Sequence, residues 1–93
     1  MLTLPIKRKW FAMIAAGEKL EEYRADTPYY KVRFEKALKH APYITVCFRN
    51  GYRADSPKIT CVVRPTLRYG ARKEWGGDPA VLCWVLEIKE VKA

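Results

Sequence analysis

Gly17-Glu18-Lys19-Leu20-Glu21-Glu22-Tyr23-Arg24 is the stretch on which the reading of this chain turns. Before it, Trp10, Met13 and Ile14 recur at helical spacing, and Pro5 fits a first helical turn, where a missing N–H costs nothing. Gly17 suits the position just past the helix end, because glycine takes positive φ without strain. After Lys19 the period changes to two. Leu20, Glu22 and Arg24 are therefore expected on one face of a strand, with Glu21 and Tyr23 on the other. A chain reversing from helix to strand leaves side chains in the notch between the two elements. Here that notch collects an ammonium, carboxylates and a guanidinium, which makes it a candidate site.

Working outward, Leu2 to Ile6 is a short apolar lead-in of strand character, followed by the basic run Lys7-Arg8-Lys9. Cations are poorly placed at a helix N-terminus unless an anion docks there, so the run is either a phosphate contact or a solvated basic face. Downstream, Ala25 to Pro28 reads as a turn, with Asp26 or Thr27 as N-cap and Pro28 at the first helical position. The helix it opens carries Tyr29, Tyr30, Val32, Phe34 and Leu38 and ends near His40, ahead of Pro42. Tyr43 to Arg49 alternates as a strand, and Asn50-Gly51 signals a tight hairpin turn. Lys58 to Arg64 reads as the next strand, interrupted by Pro65, with Thr66 to Tyr69 as an edge continuation. Gly70 to Pro79 is a loop around Trp75, a residue that either offers a stacking platform or caps a barrel end. Val81 to Ile88 is apolar on both faces, as expected of a central strand covered on both sides. The fold class is α+β.

Ninety-three residues make one domain, and a hydrophobic fraction of 49% with 13% aromatics argues against disorder. The formal net charge of +8 favours an anionic partner, nucleic acid before an anionic membrane surface; the plainer alternative is a basic protein without one. Cys47, Cys61 and Cys83 are odd in number, widely spaced and set in apolar runs. They read as buried thiols in a reducing compartment, with neither a zinc site nor a disulfide framework. No secretory leader and no membrane-spanning run is present, so a cytoplasmic location is expected. His40, the single histidine, has no neighbouring Cys or carboxylate with which to form a triad, and suits a helix C-terminus. Nucleotide-binding glycine loops and metal-ligand clusters are absent, so no cofactor is expected.

What remains is Lys19, Glu22 and Arg24, with Glu74 as a distant partner. Such charges either pin the helix to the sheet or form a site. Gly17, Lys19, Glu22 and Arg24 match the G-x-K-x-x-E-x-R signature of the ASCH domain, a PUA-like family. Leu4-Pro5-Ile6-Lys7 with Trp10-Phe11, then Phe48-Arg49-Asn50-Gly51 and Glu74-Trp75-Gly76, also resemble small phage and bacterial ASCH proteins. The resemblance spans nearly the whole chain. It implies a small β-barrel flanked by helices, with a cleft lined by the signature and suited to RNA or a nucleotide-like ligand.

In that cleft Lys19 and Arg24 are expected to hold phosphate or a base edge, and Glu22 to orient Arg24 or accept from a base amino group. Trp10, Tyr23 and Trp75 are stacking candidates, while Lys7, Arg8, Arg49 and Arg53 extend the basic surface. The resemblance also implies an alternative, since some relatives are ribonucleases and one branch hydrolyses N4-acetylcytidine. That branch uses the signature Lys, a Thr three residues later and a distant Glu. Lys19 matches and Glu74 is a candidate for the last, but Glu22 stands where the Thr would be, and a carboxylate cannot serve as a hydroxyl nucleophile. A third alternative is a phage-type protein that binds a host protein through its basic face.

Overall fold

A computed structural model describes residues 1–92, in the order β1 (Leu2–Ile6), α1 (Arg8–Ala15), β2 (Glu21–Ala25), α2 (Pro28–Leu38), β3 (Ile44–Asn50), β4 (Lys58–Arg68), a single 3-10 turn (Lys73–Trp75) and β5 (Cys83–Lys92). The strands form one mixed sheet in the order β1-β3-β4-β5-β2. Only β1 and β3 run parallel, with Leu4 opposite Phe48; every other neighbouring pair is antiparallel. A parallel pair needs a long crossover, and α1, β2 and α2 together supply it. The two strands that come first in sequence therefore occupy the two edges of the sheet. The sheet curls into a half-barrel, and α1 carries the chain from one edge to the other.

Local signals set the element ends. Gly17 adopts φ 77°, its N–H donates to the Ile14 carbonyl, and the Glu18 N–H reaches back to Met13, which stops α1 and reverses the chain. Thr27 caps α2 by accepting from the Tyr30 N–H at 3.4 Å, with Pro28 in the first turn. No helix is long and apolar enough to cross a membrane among the described residues.

The core fills the concave side of the sheet: Leu4 and Ile6 of β1, Ile14 of α1, Phe34 of α2, then inward residues of β3, β4 and β5. On β5, Trp84 and Leu86 belong to this core. Cys83 and Val85 face the other way, under a second cluster built from Ala71 and Tyr23. Val85 and Leu86 are fully buried, so β5 is covered on both faces at this point. All three cysteines are free thiols, Cys61 and Cys83 buried and Cys47 half-buried. Burial pushes the Cys61 thiol up to about 11.

Several sequence expectations are corrected. Pro5 does not begin the helix; it lies in β1 opposite Arg49, where an edge strand tolerates a residue without an N–H. Leu20 is outside β2 and exposed, so the inward face there consists of Glu22 and Arg24 alone. Asn50-Gly51 is not a two-residue hairpin turn. Asn50 ends β3, and a longer loop runs to Pro57, whose carbonyl accepts from the Asn50 N–H at 2.9 Å. Pro65 does not interrupt β4, because β3 has already ended beside it and only β5 pairs there, through Leu86. The second helix stops at Leu38, leaving His40 just beyond it, and Val32 and Tyr29 of that helix are exposed. The last strand begins at Cys83 and not at Val81.

Phe34 carries the attachment of α2. It is fully buried, with its ring centroid 5.7 Å from that of Tyr30 and 5.1 Å from that of Trp84. Phe34→Ala is expected to cost about 3–5 kcal/mol, seen as a lower denaturant midpoint at unchanged slope. A loss within about 0.5 kcal/mol, typical of a surface position, would contradict this packing.

Candidate functional site

β2 sets the site by its register. Glu22 stands opposite Leu86 and Arg24 opposite Trp84, so both charged side chains share the core-facing side of the strand. Glu21 and Tyr23 share the other, where the Tyr23 hydroxyl donates to Glu21 at 2.8 Å and accepts from the Arg72 N–H at 2.9 Å. Burial and Glu21 hold the Tyr23 phenol well above the usual range, so it stays protonated and can play both parts.

Arg24 spans the gap between the two sheet edges. Its Nη2 donates to the Pro5 carbonyl of β1 at 2.9 Å and to Glu22 Oε2 at 2.8 Å, while Nη1 donates to the Tyr30 hydroxyl at 3.1 Å. Both Nη2 hydrogens and one on Nη1 are thus committed to the fold. Arg24 Nε is buried without a partner. One Nη1 hydrogen has no partner among the described residues.

Lys19 closes the same cluster from the turn after α1. Its ammonium donates to the Trp75 carbonyl at 2.5 Å, lies 3.3 Å from Glu22 Oε1, and sits 5.0 Å from the ring centroids of both Trp10 and Tyr23. The side chain is 0% exposed. Burial lowers its pKa from the ordinary lysine value, and the Glu22 carboxylate opposes that shift. Glu22 is thereby shared by two cations, one on each carboxylate oxygen.

Above this cluster opens a cleft of about 480 Å³. One wall is the junction of β1 and α1, with Lys7, Arg8 and Trp10; Glu22, Tyr23 and Arg24 form the floor. A further stretch of wall comes from Asn50, Gly51 and Tyr52, with Asn50 beside Ile6 of β1, and Trp75 with Gly76 completes the lining. Gly76 has φ 87°, and a Cβ there would stand 2.9 Å from the Trp10 ring, so only glycine lets this turn lie against the indole. No side chain caps the start of α1 and no acid occupies its first turn, which leaves its first N–H groups without a side-chain partner beside Lys7 and Arg8. Neither of these basic residues is ion-paired among the described residues.

Of the residues singled out from sequence, Lys7, Arg8, Trp10, Glu22, Tyr23, Arg24 and Trp75 converge on the cleft. Lys19 lies behind its floor. Arg49 is outside the lining, and its Nε donates to the Gly51 carbonyl at 3.0 Å, holding the loop that forms one wall. Arg53 points away, 3.8 Å from Asp55. Glu74 is exposed and 3.5 Å from Arg72; in its turn, the main-chain carbonyl of Trp75 is the group that meets Lys19. Sequence reading missed Tyr52, which is 84% exposed at the rim, and the hydroxyl of Tyr30 beside Arg24. Tyr52 follows directly on Asn50-Gly51, and the turn signal there gave no hint of a binding wall. Comparison with protein families, with curated proteins and with solved structures finds no match to this chain.

The shared carboxylate fixes an order of effects. Glu22→Gln leaves two cations facing each other without their counter-charge and is expected to cost about 3–5 kcal/mol in chemical denaturation. Lys19→Met should cost less, since Glu22 keeps Arg24. Because burial depresses the Lys19 pKa below 10.5, the unfolded chain binds more protons as pH climbs toward that value, and this residue's contribution to stability rises with pH. The difference in stability between wild type and Lys19→Met should therefore shift in favour of wild type as pH approaches 10.5. The reverse order of cost, or a shift of opposite sign, would contradict the arrangement.

Proposed function

We propose that this protein binds single-stranded RNA, or a nucleotide unit of it, in the cleft between β1, β2 and the Trp75 turn. The observation that carries the reading is the composition of the cleft. Four aromatic residues line it, Tyr52 exposed and Trp10, Tyr23 and Trp75 half-buried; Lys7 and Arg8 stand unpaired at a bare helix start, and Glu22 is the single acid in the lining. Bases stack on aromatic faces regardless of sequence, while cations and free N–H groups take phosphate. The net charge of +8 supplies the long-range attraction. The same function is implied by the resemblance of the Gly17–Arg24 stretch to ASCH domains, and a PUA-like barrel is the fold that resemblance would give to the half-barrel. A reducing, cytoplasmic setting suits three free thiols.

Binding is favoured over hydrolysis by two features. The Lys19 ammonium is enclosed by protein partners, and Glu74 turns away from the cleft floor. With Glu22 held between two cations, the cluster has no free base beside an accessible nucleophile.

Titration of a single-stranded RNA at several salt concentrations tests the reading. Affinity is expected to fall linearly in log–log form, with a slope of about −0.7 for each phosphate contact. Tyr52→Ala should leave the fold unchanged, because the residue is exposed, and should weaken binding by about 1–3 kcal/mol for the lost stack. Absence of binding at low salt, or full affinity in the Tyr52 variant, would contradict it.

A further inference from the structure

A second basic hollow lies at the other end of β1. Arg33, Lys36 and His40 face Leu2, Ile44 and Thr45 across a groove of about 520 Å³ between α2 and the β1–β3 edge. His40 also lines a second hollow of about 580 Å³, together with Lys39 and Arg64, so the two share His40 just past the C-terminal end of α2. No acidic side chain lines either of them. Of the acids closest in sequence or register, Glu35 pairs with Lys31 at 4.0 Å, and Glu87, which stands opposite Arg64 and feels its charge, pairs with Lys89. The Arg33 guanidinium carbon lies over the Tyr29 ring, 3.4 Å from its centroid, and Nη1 donates to the Tyr29 carbonyl at 2.9 Å. Arg33, Lys36 and Lys39 follow one another at three-residue intervals and form a stripe along the exposed side of the helix.

β1 joins this groove to the cleft. Leu2 lines the groove while Pro5 and Ile6 line the cleft, a separation of roughly 10–13 Å along an extended strand. A few nucleotides of extended single strand cover that distance. We infer that the groove carries the sugar–phosphate backbone of the same strand whose bases stack in the cleft, the ligand running along β1 and turning around the end of α2. The inference rests on the nucleic-acid reading of the cleft and extends it to a longer footprint. The charge pattern selects the occupant: a run of cations without acids suits a regularly spaced polyanion, whereas the cleft adds ring faces for bases.

The test compares a trinucleotide with a dodecanucleotide of the same single-stranded RNA, on wild type and on Lys36→Glu/Arg64→Glu. Both substituted residues are exposed, and Lys36→Ala/Arg64→Ala serves if the charge-reversed protein fails to fold. Wild type should bind the dodecanucleotide tighter than the trinucleotide. The groove variant should lose most of that gain, lower the salt slope by about 0.7 for each phosphate contact removed, and keep its trinucleotide affinity. The inference is overturned if the longer RNA binds wild type no tighter, or if the folded groove variant keeps both affinity and slope. It is overturned in favour of an acidic protein partner if polyglutamate binds the groove and the dodecanucleotide does not. Failure of the cleft reading looks different: the trinucleotide would not bind at all, while the longer RNA bound in a groove-dependent way. If neither RNA binds wild type, both readings fall.

Discussion

Arg24 holds together two strands that never pair. Its guanidinium reaches from β2, at one edge of the sheet, to the main-chain carbonyl of Pro5 in β1 at the other. The edge strands β1 and β2 of this five-stranded sheet are not paired with each other, and an open seam would leave backbone groups and core side chains facing water. The seam is closed instead by a side chain that Glu22 and Tyr30 hold in place. α1 runs across the same gap, and Lys19, at its end, completes the closure by anchoring the Trp75 turn. The half-barrel and the cleft are therefore products of one polar cluster.

That cluster is costly in isolation. Burying an ion pair is often no better for stability than an apolar replacement of the same volume, and breaking one is far worse. Here two cations share a single carboxylate, which leaves one excess positive charge under the cleft floor. Every commitment Arg24 makes within the fold is one fewer donor for a ligand. On the proposed function, that excess charge, set just below a cleft lined by aromatic residues, is what an anionic ligand meets. Positive charge held in place by the fold needs no reorganisation when the ligand arrives.

The readable parts of the sequence were those governed by local chemistry. Gly17 ends α1, Thr27 and Pro28 open α2, and the two-residue period after Lys19 puts Glu22 and Arg24 together, because each depends on neighbours a few residues away. The apolar run Val81–Ile88 announced a doubly covered strand for the same reason, and the structure covers both faces over Cys83–Leu86. What escaped was set by distant pairing. In sequence Leu2–Ile6 has strand character while Pro5 also fits a helix start, and it is β3, some forty residues later, lying beside it, that decides for the strand. Pro65 is tolerated in β4 because β3 stops short of it. In the site, Lys19 is met by a backbone carbonyl, which every residue carries and no sequence pattern marks, while the more conspicuous Glu74 faces solvent.

The three tryptophans provide the most direct test of the central claim, that the closed seam underlies a nucleic-acid cleft. Trp10 and Trp75 line the cleft, and Trp84 is buried in the core beside Phe34. Each indole N–H gives its own signal in a proton–nitrogen correlation spectrum, so one titration with single-stranded RNA reads all three. The account predicts that the Trp10 and Trp75 signals move together and saturate at one affinity while Trp84 stays in place. Saturating RNA that leaves Trp10 and Trp75 unmoved, or that shifts Trp84 as much as either, would contradict it.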